Sequence, residues 1–168
     1  MEEIVNKVAN SGLNLINLDE LMTKENRVFI DLKNWLWEGI ALKEKDFREK
    51  LKTHDWSVYK NKFVTIGCSE DAIIPIWAYL LVASYLEGIS RKTYFGDLKD
   101  IEPKIFQDFI ANLDIKQFEG GRIVIKGCSK EAVPTNAYIE LINKLQPHVK
   151  SIFFGEPCST VPIFKKKK

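Results

Sequence analysis

The chain has 168 residues, 45% of them hydrophobic and 29% charged, which is enough for one domain with a real core and too short for two to be expected. Its net charge is +2 and its pI near 8.3, and Lys165 to Lys168 alone exceed that excess, so the balance is neutral rather than that of a nucleic-acid-binding protein. No apolar run approaches membrane-spanning length, and the acidic N-terminus lacks the basic flank and apolar stretch of a signal peptide; a cytoplasmic protein with no nucleic-acid or membrane partner is expected, its three cysteines reduced.

In chain order, Ile4, Val5 and Val8 at helical spacing before Ser11-Gly12 predict a short N-terminal helix with a glycine cap. Leu13 to Met22 is a mixed segment. Arg27 to Leu32 and Leu36 to Leu42 are apolar runs that predict two strands of a hairpin, with Asn34 and Gly39 supplying the breaks. Trp35 and Trp37, two apart, would share one face of a strand, as core or as a lid over it. Lys43 to Thr53 is charged with a helical pattern and leads into His54-Asp55-Trp56, closing an N-terminal region of residues 1–62.

The next stretch occurs twice. Phe63 to Ile66 runs into Gly67-Cys68-Ser69, and Ile123 to Lys126 runs into Gly127-Cys128-Ser129. Asp71, Ala72, Pro75, Ala78 and Tyr79 are matched by Glu131, Ala132, Pro134, Ala137 and Tyr138 once a single deletion is placed before the second proline, and Tyr94 to Asp97 by Phe153 to Glu156. Each copy, 63–97 and 122–156, reads as strand, helix, strand, with a proline near the helix start. The first helix, with Ile76, Trp77, Leu80 and Leu81, is apolar nearly all round and predicts a buried crossover. The second has one stripe, Tyr138, Leu141, Ile142 and Leu145, and predicts a more exposed helix.

Residues 98–121 between the copies hold an amphipathic helix carrying Ile101, Ile105, Phe106, Phe109 and Ile110, and 157–168 form a tail. The pattern predicts one domain over 1–168 of α/β class: a mostly parallel sheet with crossover helices and a duplicated βαβ unit, the N-terminal helix and β-hairpin being added to it. In such a sheet parallel strands end on one edge, so Cys68, Cys128, Asp97 and Glu156 would share one rim, with Cys158 two residues further on.

Glu2-Glu3-Ile4-Val5-Asn6, Lys45-Asp46-Phe47-Arg48, His54-Asp55-Trp56, Gly127-Cys128-Ser129 and the run Phe154-Gly155-Glu156-Pro157-Cys158-Ser159-Thr160-Val161-Pro162 together make a pattern that resembles the bacterial family of domain of unknown function twenty-four-eighty. The resemblance covers nearly the whole chain, and its most specific part is the C-terminal run. It implies no reaction. Genes of that family tend to lie beside iron-sulfur assembly genes, which implies iron-sulfur assembly proteins as partners and a role in handling metal or sulfur.

Ligands of open parallel sheets bind outside the carboxyl ends of the strands, where these cysteines and carboxylates are expected to converge. Cys68, Cys128 and Cys158 as thiolates, with His54 or a carboxylate of Asp97 or Glu156, would satisfy a tetrahedral zinc or ferrous ion. No Cys-x-x-Cys occurs, so that reading rests on the repeat alone; Cys68 and Cys128 read first as small hydrophobes of the core and otherwise as ligands or reactive thiols. His148, beside Pro147, is a weaker candidate ligand. Backbone amides at Ser69 and Ser129 could hold an anion at the start of each helix, although Asp71 and Glu131 compete for the same dipole and Ser69 could simply cap it. No Walker loop, dinucleotide fingerprint or hydrolase triad is present, so no nucleotide is expected. The reading is a metal-binding or thiol-dependent accessory factor in sulfur or iron-sulfur metabolism; the alternative is a noncatalytic scaffold with structural cysteines.

Overall fold

The strand-forming runs are short, and most carry β-branched or aromatic residues. In the computed structural model, which describes residues 12–21, 26–126, 133–156 and 159–167, they give β1 (Leu13–Ile16), β2 (Arg27–Asp31), β3 (Phe63–Gly67), β4 (Lys92–Phe95), β5 (Arg122–Ile125), β6 (Ser151–Glu156) and β7 (Ser159–Lys165). The helices are α1 (Glu44–Thr53), α2 (Ile76–Leu86), α3 (Ile101–Asn112) and α4 (Thr135–Leu145). The fold is α/β with mostly parallel strands and crossover helices. Among the described residues the strands form two sheets rather than one. The first, β2-β3-β4, is wholly parallel; the second, β1-β5-β6-β7, is parallel except for β7, which runs antiparallel to β6.

The chain divides into two compact units, one of Lys24–Lys104 and the other of Met1–Thr23 with Ile105–Lys168, so that the first is inserted in the sequence of the second. The inserted unit packs Phe47, Leu51, Val64, Ile66, Val82 and Leu86 into its core, and the flanking unit packs Phe106, Ile110, Ile123, Ile125, Leu141 and Leu145 into its own.

These two lists are the same list displaced by a constant 59 residues, the separation of Phe63 and Arg122, which open β3 and β5. The displacement holds without a gap from α1 to the end of β6. Asp55 and Asp114 each accept a 3.0 Å hydrogen bond from the amide two residues on. Asn61 and Gly120 both take positive φ, 57° and 66°, and their amides bond the carbonyls of Ile89 and His148. Tyr79 meets Phe95 edge-on at 5.1 Å as Tyr138 meets Phe154 at 5.6 Å, and Gly96 and Gly155 have φ of 126° and 127°. The outer strands match too: Asp31 and Asn17 each turn the chain by accepting from the amide two residues on, and the buried Leu32 and Leu18 follow them.

This register differs from the one that aligns the two Gly-Cys-Ser stretches. Ile66 and Ile125 are equivalent, as are Pro75 and Pro134, so the second copy needs no deletion, and Gly-Cys-Ser there stands one residue later.

Further expectations are corrected by local chemistry. Arg27 to Asp31 is a strand, but it pairs in parallel with β3 and not in a hairpin. Leu36 to Leu42 forms only an isolated bridge between Trp37 and Ala41, since the Asp31 side chain accepts from Lys33 N and winds Leu32–Trp35 into a 3-10 turn. Trp35 packs on the core of the inserted unit, whereas Trp37 is half exposed with the Lys43 ammonium 3.5 Å over its ring. The tail contains a strand, β7, whose Pro162 sits at a register shift against Phe153, the place where a strand tolerates proline. The helix expected over Met1 to Asn10 lies outside the described residues. Helix α2 is not buried all round: Ala78, Val82 and Leu86 are buried while Ile76 and Leu80 are 76% and 64% exposed, the same positions that α4 buries and exposes. The helices therefore differ in what they show to solvent and not in how deeply they sit.

Leu86→Ala and Leu145→Ala should each cost about 2–5 kcal/mol in urea unfolding, as truncations in closed cores, and Leu80→Ala under about 1 kcal/mol. A Leu80 truncation as costly as the other two would contradict this assignment of the α2 face.

Candidate functional site

The described cysteine, Cys68, follows the last residue of β3 at the carboxyl edge of the sheet β2-β3-β4. Its surroundings begin with Gly67, where a Cβ would lie 2.8 Å from the Gly96 carbonyl oxygen and 2.9 Å from the Phe29 ring, so only glycine lets the three strands close up here. Thr65 Oγ1 donates to the same carbonyl at 2.7 Å and ties β3 to the end of β4. Beyond the cysteine the chain is held from the side. Asp31, paired in register with Gly67, accepts from Ser69 N at 3.0 Å and from Ser69 Oγ at 2.7 Å, and also from Lys33 N at 3.1 Å. Burial opposes ionisation of Asp31, but the Ser69 hydroxyl and amide with the Lys33 amide and ammonium together outweigh it and hold its pKa below the ordinary 3.8.

Cys68 is half-buried against the core of the inserted unit, and Tyr79 lies near it: burial first, and then the electrostatic influence of Cys68, push the Tyr79 pKa up. Asp97 belongs to the same edge, one residue past Gly96, where its Oδ1 accepts from Lys99 N at 2.7 Å and Asp100 N at 3.2 Å in the turn before α3. The Ser69 amide, expected to hold an anion, is taken by Asp31, as is the Ser69 hydroxyl. Ser69 and Asp71 do not cap α2 either; Pro75 stands at its N-cap and Pro134 at that of α4.

His54, proposed as a ligand, is enclosed by rings. Its Nε2 lies 2.9 Å from the Tyr59 hydroxyl, and Trp56, Trp35 and Tyr59 have centroids 4.8, 5.3 and 5.6 Å away. Its counterpart in the flanking unit is Leu113, an ordinary core neighbour, which fits a packing role. His148 Nδ1 is 3.0 Å from Glu119 Oε2 in the flanking unit. Glu156 ends β6 and pairs with Ser159 of β7. Cys128, Ser129 and Cys158 lie outside the described residues. The shared rim of one sheet is replaced by two edges, Cys68 and Asp97 on the inserted unit's sheet and Glu156 on the other. Among the described residues no three His, Cys, Asp or Glu side chains form a metal-sized group.

A model of the family described as Protein of unknown function (DUF2480) matches residues 2–166. The chain belongs to the DUF2480 family. No curated protein and no solved structure matches it. In this DUF2480 chain no helix of the described residues is long and apolar enough to cross a membrane. The residue missed by sequence reasoning is Asp31, and its signal was a carboxylate closing the apolar run Val28 to Ile30.

Because the folded pKa of Asp31 is depressed, the stability it contributes is present above pH 3.8 and is lost as pH falls through the lower folded value. Asp31→Asn should therefore be destabilised at neutral pH, with the gap to the parent protein closing below about pH 4 in thermal unfolding. A gap unchanged by acid would contradict the ionised clamp.

Proposed function

We propose that this DUF2480 protein is a thiol-dependent accessory factor of sulfur or iron-sulfur metabolism in the cytoplasm, with Cys68 as its working group. The observation that carries the reading is the double hydrogen bond from Ser69 to Asp31. It fixes the turn that follows the cysteine, and a nucleophile held in one place spends less ordering entropy in reaction than one on a mobile loop. In the reaction this suits, the Cys68 thiolate attacks the outer sulfur of a donor persulfide, the donor leaves as its thiolate, and Cys68 carries the sulfur as a persulfide. Iron-sulfur assembly proteins are the partners this reading names. A zinc or ferrous ion on Cys68 is the other form the same thiol supports.

A noncatalytic scaffold is the second reading, and the exposed Ile76 and Leu80 on α2 favour it.

Incubation with a small-molecule persulfide should add one sulfur atom to the protein in intact-mass measurement. Cys68→Ser should abolish the gain while changing stability by under about 1 kcal/mol, and Cys128→Ser and Cys158→Ser should keep it. A gain that survives Cys68→Ser would overturn the thiol reading, and metal in elemental analysis that is lost with Cys68→Ser would favour its metal form.

A further inference from the structure

The amino edge of the flanking unit's sheet carries a second site, independent of Cys68. Four residues lie there in one hydrogen-bonded row across the strands: Leu13 of β1 beside Arg122 of β5, Arg122 beside Ser151 of β6, and Ser151 beside Lys165 of β7. The ladder is prolonged by Lys166 N, which donates to the Lys150 carbonyl at 2.9 Å. This row borders a cleft of about 750 Å³ lined by Arg122, Lys150, Lys165, Lys166 and Lys167. Among the described residues the rest of its lining is Leu13, Ser151, Phe153 and Pro162, with no acidic residue. Phe153 stands two residues from Ser151 on β6 and so faces the same side of the sheet.

Five cations at one cleft repel one another, and proteins ordinarily relieve such repulsion with carboxylates. Here, among the described residues, no carboxylate forms an ion pair with any of the five. The inserted unit supplies the comparison, because its matching edge holds an ion pair and an aromatic ring at the equivalent positions. Arg27, which stands where Leu13 does, is paired with Glu102 at 2.5 and 3.2 Å, and Arg27 and Arg91 flank the Phe63 ring at 5.5 Å each. The ring occupies the position of Arg122. One copy of the edge thus sets an aromatic ring where the other sets Arg122, and an ion pair where the other sets Leu13.

We propose that this cleft binds a small organic anion carrying two or more phosphate groups, its charge met by Arg122 and the lysines and its apolar body resting on Phe153 and Pro162. The chemistry matches part by part. Arginine grips phosphate through two parallel donors, lysines add point charge, and the volume lies in the range of small-ligand clefts, roughly 300–1,000 Å³. The charge comes from strand-end side chains and not from a glycine-rich loop, which is why no nucleotide fingerprint in the sequence announces it.

The test is calorimetric titration of the full chain with ADP and, separately, with inorganic pyrophosphate, together with sedimentation against vesicles with and without phosphatidylserine. ADP should bind once per chain and more tightly than pyrophosphate. Arg122→Ala combined with Lys150→Ala, both exposed positions, should weaken both ligands about tenfold or more. Phe153→Leu should weaken ADP and spare pyrophosphate, while Lys50→Ala with Lys52→Ala on α1 should change neither. Absence of binding by either anion at millimolar concentration, or equal losses in the α1 control, would overturn the proposal. Binding confined to the anionic vesicles would overturn it too, and would make the edge a membrane-facing surface.

Discussion

Where β2 and β3 stop side by side, the carboxylate of Asp31 takes both donors of Ser69, and the candidate site depends on that contact. Two parallel strands that end together leave their last turns free to diverge. A charged acceptor at the end of one strand, bonded to the turn of the other, removes that freedom. The lowered pKa of Asp31 is the thermodynamic face of the same contact, because donors that stabilise the carboxylate are in turn held by it. Gly67 completes the arrangement by admitting the Gly96 carbonyl and the Phe29 ring where a side chain would stand.

The two units build the same scaffold from shared backbone hydrogen bonds and buried positions, and then place different chemistry at its two edges. At the carboxyl edge the inserted unit has the charged Asp31 and the sequence Gly67-Cys68-Ser69; the flanking unit has the neutral Asn17 in the equivalent turn. At the amino edge the inserted unit pairs Arg27 with Glu102, whereas the flanking unit exposes a cluster of cations. A repeated frame with divergent edges fits a protein in which each copy has taken on a separate contact.

The βαβ units and α/β class were legible because their signals are local: β-branched runs ending at glycine, apolar periodicity, a proline opening each helix. The outer half of the repeat was hidden. Phe47 and Phe106, or Asp55 and Asp114, are matched among residues that otherwise share few types, and β1 is separated from its partner β5 by an entire inserted unit. The motif itself misled the alignment, since matching Gly-Cys-Ser by letter shifts the strands by one residue, and in a strand that exchanges the two faces. His54 looked like a free ligand because a single sequence does not show that Trp35, Trp56 and Tyr59 close around it. Asp31 was passed over because its partner lies 38 residues away.

The claim that most needs testing is that Asp31 holds the turn carrying Cys68, and amide hydrogen exchange at Ser69 reads that contact directly. The account predicts a protected Ser69 amide in the parent protein and in Ser69→Ala, which keeps the backbone donor, with protection lost in Asp31→Ala while the amides of β3 stay protected. A Ser69 amide that exchanges freely in the parent protein, or one equally protected in Asp31→Ala, would contradict it.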